Sequence, residues 1–175
     1  MAIWQFGFIL IPKSAILAEC EALPASIPME MTDHLWWSKQ QPPQGFEKQI
    51  DLILSQTKSW SEDMRMWGSE SGNDAHVWYT DGEKKVVEEI AFRLDARDIP
   101  LGLIRMICTL AAQLSCVLLT ADSEVLQPIE SEILAAIRNS TATKFVNDPV
   151  AALQSVGTVR LKQRSQDTPS SEGKS

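Results

Sequence analysis

Residues 75–95 read AHVWYTDGEKKVVEEIAFRLD, which is the strongest β-hairpin pattern in the chain. Residues 75–80 are rich in β-forming types, and Asp81-Gly82 supplies the residues that a tight turn between two strands prefers. Residues 85–95 then resume as a long strand whose alternation predicts two different faces. The face predicted to be buried consists of Val86, Ile90, Phe92, Leu94 and Ala96. The hairpin therefore predicts an antiparallel sheet.

Upstream of the hairpin, the sequence pattern predicts one strand and two helices. Residues 2–11 are rich in β-forming residues and predict a buried strand that ends at Pro12. Apolar residues then recur at helical spacing from Ile16 to Leu23, and a second amphipathic helix is predicted over residues 46–56. Several prolines lie between these helices, so we expect a long irregular connection there.

Downstream of the hairpin, the pattern predicts further helices and one more strand. Pro100 opens an apolar helix over residues 100–114, and residues 116–120 predict a short, fully apolar strand. Pro128 starts another helix. Asp148-Pro149 combines an N-cap with a proline at the first helical position, so a last helical turn is expected directly after it.

In chain order these elements give the succession β-α-β-β-α-β with helical additions at the C-terminal end. The succession predicts an α+β fold with two layers, in which helices lie on one face of an antiparallel sheet, as in the split, ferredoxin-like arrangement. A chain of 175 residues with 44% apolar residues suits one domain with a sizeable core. We predict a single α+β domain over residues 1–157 and a flexible polar tail over residues 158–175.

Charge is distributed unevenly along the chain. Residues 1–157 contain 12 Lys and Arg against 21 Asp and Glu, a net charge of −9, whereas the last 18 residues contain four basic and two acidic side chains. An acidic body argues against binding to nucleic acid or to an anionic membrane, because both need basic patches. It is compatible with a basic protein partner, and plain solubility explains it equally well.

Cysteine usage and hydropathy indicate a compartment for the protein. The three cysteines lie in apolar runs without the spacing of a metal or redox motif, which is typical of free thiols in a reducing compartment. The N-terminus lacks the positive residues and the cleavage site of a secretory signal. Residues 101–119 carry a polar stripe that a membrane span would not have. We therefore expect a cytoplasmic protein.

Five of the six tryptophans fall within residues 36–78, and most of that segment does not predict regular structure. Tryptophan combines a large apolar surface with one N–H donor, so such a cluster indicates either a core built from loops or a recognition surface. We expect at least two of the four tryptophans in connections to be exposed, namely Trp36, Trp37, Trp60 and Trp67. The Trp36-Trp37 pair is the preferred contact, whereas Trp60 and Trp67 flank a short helix predicted to begin at Ser61, and packing is favoured for both.

Carboxylates accompany these tryptophans in the sequence. The predicted interaction surface consists of Trp36, Trp37, Trp60, Glu62, Asp63, Trp67, Glu70 and Asp74. Interface hot spots favour Trp, and an acidic rim accelerates the capture of a basic partner. The leading hypothesis is therefore a non-enzymatic binding or interaction protein with a protein partner. A homodimer that buries the same surface is a further alternative.

A second hypothesis is a small enzyme or ligand-binding domain that holds an anionic small molecule. His76, Arg93 and Arg97 would bind the anion, because guanidinium groups recognise phosphates and carboxylates. Arg93 and Arg97 also alternate with Asp95 on one strand, however, and such ladders usually form ion pairs. If each arginine is matched to a carboxylate, the structural explanation holds.

Recognised chemical signatures do not accompany either hypothesis. The sequence has no nucleophile elbow, no glycine-rich phosphate loop and no dinucleotide fingerprint. Neither of the two histidines has a further His or Cys at the spacing of a zinc site. We therefore assign no catalytic residue, no cofactor and no metal.

A succession of short motifs resembles a group of small uncharacterised bacterial proteins. The motifs are Trp60-Ser61-Glu62, Trp67-Gly68, Val77-Trp78-Tyr79, Arg93-x-Asp95-x-Arg97 and Ser140-x-Ala142-x-x-Phe145-Val146-x-Asp148-Pro149. The resemblance covers most of residues 3–155 and implies an α+β cytoplasmic bacterial protein, but it carries no function. The chain is small, acidic and rich in Trp, and in this general character it is also similar to immunity proteins that neutralise toxins.

Overall fold

The computed structural model describes residues 2–28, 31, 35–80 and 85–153. The strands are β1 (Gln5–Pro12), β2 (Gln56–Thr57), β3 (Met64–Gly68), β4 (Asp74–Tyr79), β5 (Val87–Asp95), β6 (Cys116–Thr120) and β7 (Val125–Leu126). The helices are α1 (Lys13–Glu19), α2 (Glu47–Asp51), α3 (Leu101–Gln113), α4 (Glu130–Asn139) and α5 (Thr141–Asn147), and residues 149–153 are also helical. The predicted turn at Asp81-Gly82 and the predicted tail over 158–175 lie outside the described residues.

The seven strands form one antiparallel sheet in the order β2-β3-β4-β5-β1-β6-β7. The α+β fold with an antiparallel sheet, predicted from the hairpin at residues 75–95, is confirmed. The four central strands, β4-β5-β1-β6, have the order that a split β-α-β arrangement requires, because β5 lies between β4 and β1. The ferredoxin-like comparison itself stays a prediction.

Two apolar cores lie on opposite faces of the sheet. Along β1, Phe8 and Leu10 belong to the main core, whereas Ile9 and Ile11 belong to the second core, as the alternation of side chains along a strand requires. Helices α2 to α5 contribute to the main core, but Ile16 of α1 packs in the second core. The prediction of helices on one face is therefore wrong for α1. The reason is that β6 is apolar at every position but its last and buried throughout, so its second face also needs a cover.

The long predicted strand β5 contains an irregularity that changes which of its residues are buried. Ile90, Phe92 and Leu94 lie in the main core as the alternation predicts. The register of the β4–β5 pair shifts between Trp78 and Tyr79, however, so that Val87 rather than Val86 joins this core. A β-bulge inserts one extra residue and thereby moves the residues beyond it to the other face. The burial of Val86 was therefore predicted wrongly.

The segment around Trp67 is a strand and not the short helix predicted to begin at Ser61. In β3, Met64 and Met66 pair with the second-face residues of β4, whereas Trp67 joins the main core. This alternation has the period of a strand, and pairing with β4 stabilises it. Helix α2 is shorter than predicted, because residues 56–57 pair with β3 as strand β2.

Helix α3 corresponds to the apolar helix predicted over residues 100–114. Ile104 and Ile107 are buried in the main core, whereas Arg105 is exposed and donates a hydrogen bond of 2.8 Å from Nε to Glu130 of α4. The predicted polar stripe therefore faces solvent and the neighbouring helix. Among the helices of the described residues, none is long and apolar enough to cross a membrane.

Gly68 at the end of β3 occupies a position that a side chain cannot share. Its φ is +79°, and a Cβ atom there would lie 2.2 Å from the carbonyl oxygen of Asn73. We predict that Gly68→Ala lowers the free energy of unfolding by about 2 kcal/mol or more, since a left-handed backbone with Cβ costs about 1–2 kcal/mol before any clash. Urea denaturation measures this change.

Gly102 in α3 supplies the control, because a Cβ atom there has no neighbour within 4 Å. Gly102→Ala should leave the stability unchanged or raise it by up to about 1 kcal/mol. Equal stability of the two alanine variants would contradict the strained turn after β3.

Candidate functional site

Among the residues that the structure describes, the second face of the sheet is covered over only part of its width. Helix α1 and the connection that follows it pack on the end of β1 and the start of β6, where Ile11 and Val117 are buried. Toward the start of β1 the same face carries a groove with a volume of about 320 Å³. We term this region the open half, and it comprises Gly7, Ile9, Trp60, His76, Trp78, Glu89, Ala91, Arg93 and Leu119.

Strand register explains why a depression forms at this place. His76 of β4, Ala91 of β5, Ile9 of β1 and Leu119 of β6 are paired side by side across four strands. Directly paired residues share a face of the sheet, so these side chains form one row. Ala91 is the smallest member of the row and lies between His76 and Ile9. The row is therefore low at Ala91 and higher on both sides of it.

A second row beside the first deepens the depression. Asp74 of β4 pairs with Arg93 of β5, and Arg93 pairs with Gly7 of β1. Because Gly7 has no side chain, the sheet backbone itself forms the floor next to Ala91. Ile9 and Leu119 form an apolar wall on one side of the floor, and His76 and Arg93 stand on the other side.

Arg93 is held in place by a buried carboxylate. Its Nε atom donates a hydrogen bond of 2.7 Å to Oδ1 of Asp74, and its Nη2 atom lies 2.7 Å from Oδ2. The Asp74 side chain is fully buried, with 0% exposure, whereas the Arg93 side chain keeps 18%. The buried charge of Asp74 is thereby compensated, and the guanidinium is fixed at the edge of the groove.

His76 connects the groove to an aromatic pair. Its Nε2 atom lies 3.4 Å from a carboxylate oxygen of Glu89, and its ring meets that of Trp78 edge-on at 6.5 Å between centroids. Trp60 then packs against Trp78 in the same T-shaped manner at 5.3 Å. Such edge-to-face pairs are the preferred geometry of aromatic rings. The open half therefore runs continuously from Trp60 to the groove.

Trp60 is the exposed member of the tryptophan set, with 69% of its surface accessible. Trp36, Trp37 and Trp67 are buried, at 5%, 1% and 1% exposure. The prediction that at least two of these four are exposed is therefore wrong, and so is the preference for Trp36-Trp37 as the contact pair. Packing is confirmed for Trp67 and wrong for Trp60.

The buried tryptophans have identifiable structural tasks. Trp37 donates a hydrogen bond of 3.0 Å from Nε1 to the carbonyl oxygen of Leu10 and packs in the main core. Trp36 packs in the second core, so the two neighbours in sequence serve opposite faces of the sheet. Trp67 donates a hydrogen bond of 2.7 Å to Asp51 of α2. Trp36 and Trp37 therefore fix a connection to the sheet, and Trp67 fixes α2 to β3. All three offer little surface to a partner.

The predicted acidic rim is only partly exposed. Glu62 and Glu70 are exposed, and Asp63 is half-buried beside Lys85, whose Nζ atom lies 3.9 Å from its carboxylate. Asp74 is the partner of Arg93 and contributes nothing to an exposed rim. The placement of Asp74 on an interaction surface is therefore wrong, because a strand pair buries this carboxylate within reach of a guanidinium.

Arg97 lies away from the groove. Its guanidinium binds Asp95 through Nη2 at 2.6 Å and stacks over the ring of Trp4 at 4.7 Å. The hydrogen bonds from Arg97 hold the pKa of the Asp95 carboxyl below its usual range. Arg93 and Arg97 are thus each matched to a carboxylate, which favours the structural explanation of this strand. The three residues predicted to bind an anion do not converge, since only His76 and Arg93 line the groove.

The sequence pattern does not single out the residues that shape the groove, namely Gly7, Ile9, Ala91 and Leu119. One signal was present, because a glycine inside an otherwise apolar strand often marks the close approach of a ligand or another backbone. The meaning of Ala91 and Leu119 depends on strand register, which the local pattern does not specify.

The two buried thiols outside this region offer little reactivity. Burial raises the pKa of Cys108 to about 11 and that of Cys116 to about 12, so both thiols stay protonated near neutral pH. The thiolate is the nucleophilic form of cysteine. Among the described residues, no three His, Cys, Asp or Glu side chains are grouped closely enough to hold a metal ion.

Fluorescence quenching tests which tryptophan is exposed. We predict that Trp60→Phe removes most of the emission that acrylamide quenches and shifts the remaining maximum to shorter wavelength. The reason is that Trp60 is exposed, whereas Trp4 and Trp78 are half-buried and the other three tryptophans are buried. Trp36→Phe is the matched control and should leave the quenchable emission in place. Strong quenching that survives in the Trp60→Phe variant would contradict this assignment.

Comparison with protein-family models, with curated proteins and with solved structures finds no match to this chain.

Proposed function

We propose that this chain is a non-enzymatic binding protein that contacts a protein partner with the Trp60 end of the open half. The observation that carries the proposal is the position of Trp60, which is 69% exposed while its ring rests on Trp78. Tryptophan is among the residues that contribute most to interface affinity. An exposed tryptophan held in a fixed orientation is therefore a suitable anchor.

Hydrogen bonds within the loop order this anchor before any partner binds. The hydroxyl of Ser59 donates to the carbonyl oxygen of Ser61 at 2.8 Å and accepts from its backbone N–H at 3.1 Å. The hydroxyl of Ser61 in turn accepts from the N–H of Asp63 at 3.2 Å. A loop that is ordered in the free protein loses less conformational entropy on binding. This arrangement supports a rigid contact centred on Trp60.

Charge supports a basic protein as the partner. Residues 1–157 carry a net charge of −9, and the exposed Glu62 lies two residues from Trp60. An acidic surface steers a basic partner toward it and raises the association rate, most strongly at low salt. Lys85 offsets part of this charge beside Asp63. The proposed attraction therefore comes from the whole body more than from a local rim.

We further propose that this chain is a cytoplasmic bacterial protein of immunity type. It would neutralise a basic toxin by contacting it with the Trp60 end of the open half. The acidic body and the absence of a recognised catalytic signature in the sequence support this role. The alternative is a small enzyme or ligand-binding domain that holds an anion through His76, Arg93 and Arg97. It has less support because both arginines are bound to carboxylates.

Affinity capture from a lysate of the native host tests the proposal. We predict that the wild-type chain retains a basic protein that Trp60→Ala does not retain. With the purified partner, titration calorimetry should measure a loss of at least about 2 kcal/mol of binding free energy, as for an interface hot spot. Leu52→Ala is the matched control, since Leu52 is 77% exposed and follows α2 on the other side of the sheet.

Two results would count against this function. One is retention of the same partner by Trp60→Ala with unchanged affinity. The other is a dimer of the free wild-type chain that Trp60→Ala converts to a monomer, measured by light scattering during size exclusion. That outcome would support the homodimer alternative.

A further inference from the structure

We propose that the groove of the open half binds a small, uncharged molecule with an apolar body and a hydrogen-bond acceptor at one end. The inference goes beyond the protein contact at Trp60 and does not depend on it. It rests on the shape of the groove, the spare hydrogen-bond donors of Arg93, and the balance of charge around them.

The shape and lining of the groove suit a compact apolar body. Its volume of about 320 Å³ lies at the small end of the range of about 300–1,000 Å³ that is typical of small-molecule sites. Gly7 and Ala91 form a flat floor, and Ile9 and Leu119 form an apolar wall. A flat ring system could cover the floor and contact the wall, which removes apolar surface of both molecules from water.

Donors stand at one side of this apolar floor. A guanidinium has five N–H groups, and Asp74 contacts Arg93 only at Nε and Nη2. The remaining N–H groups of Arg93 have no partner among the residues that the structure describes, and the Arg93 side chain, which lines the groove, is 18% exposed overall. His76 lines the same side. An acceptor atom on the ligand would complete these hydrogen bonds.

The charges around the groove favour a neutral ligand. Asp74 already compensates Arg93, and Glu89 lies 3.4 Å from His76, so each basic group has its own carboxylate. An anion would have to compete with buried Asp74 and would be repelled by Glu89, whereas a cation would face Arg93. The matching of charges therefore favours an uncharged acceptor, such as an amide or a ketone, over the predicted anion.

Protein-observed NMR with two probes of equal size tests this site. 2-Naphthamide is uncharged and carries an amide acceptor, and 2-naphthoate has the same ring system with a carboxylate. We expect 2-naphthamide to shift the backbone amide signals of Gly7, Ile9, Ala91 and Leu119. It should also bind about tenfold more tightly than 2-naphthoate, which corresponds to a difference of about 1.4 kcal/mol in binding free energy. Unshifted groove signals, shifts confined to the loop of Trp60, or tighter binding of 2-naphthoate would each overturn the proposal.

Filling the floor gives the second arm of the test. Gly7→Leu should weaken 2-naphthamide binding at least about tenfold, because its side chain would occupy the floor. Gly102→Leu makes the same substitution where a Cβ atom has no neighbour within 4 Å, and it should bind like the wild type. Cooperative thermal unfolding shows whether Gly7→Leu folds. If it does not fold, Gly7→Ala takes its place, and this variant should bind 2-naphthamide severalfold more weakly than the wild type. Unchanged affinity in the folded Gly7 variant would refute the site.

Changing the charge balance tests the ligand class separately. Asp74→Asn removes one negative charge and frees the Arg93 guanidinium, so binding of 2-naphthoate should strengthen relative to that of 2-naphthamide. An unchanged ratio of the two affinities in this variant would show that Arg93 does not contact the ligand. Binding of the protein partner at Trp60 should stay unaffected by either Gly7 variant, which separates the failure of this site from the failure of the proposed function.

Discussion

The structure depends on a sheet whose central strands must bury both faces. Strands β1 and β6 are apolar on each side, but α1, which covers the second face, has only seven residues. Helix α1 and the connection after it therefore reach Ile11 and Val117, and none of the described residues covers Gly7 and Ile9 of β1 in the same way. The open half is the part of the sheet that this cover does not reach. Small residues on its floor, Gly7 and Ala91, turn the uncovered area into a groove.

Burial of Asp74 decides the electrostatics of the open half. A fully buried carboxylate without a partner would cost several kcal/mol, so Arg93 must stay beside it in the folded protein. The same pairing removes Arg93 from the set of groups that could neutralise an anion, yet it leaves some of the N–H donors at the groove edge. A group that the sequence suggests as an anion ligand is thereby part of an ion pair without net charge.

The tryptophans show how one residue type serves different purposes in one chain. Trp36 and Trp37 pack on opposite faces of the sheet and thereby anchor the long connection between α1 and α2. Trp67 ties β3 to Asp51 of α2. Only Trp60, among the four tryptophans expected in connections, projects into solvent, and its loop is ordered by serine hydroxyls. The abundance of tryptophan in this segment thus reflects a packed connection with one projecting ring.

By itself the sequence determined the features that arise from neighbouring residues. Local alternation and helical spacing predict the pairing of β4 with β5, helix α3 and strand β6, and capping chemistry predicts the last helical turn, which Asp148 caps. Only the tertiary structure decided the bulge that buries Val87, the exposure of Trp60 and the partner of Asp74. These depend on which residues of distant strands lie side by side, and local propensity contains no information about that register. For the same reason the groove could not be predicted, because Gly7, Ala91 and Leu119 meet only when three separate strands are paired.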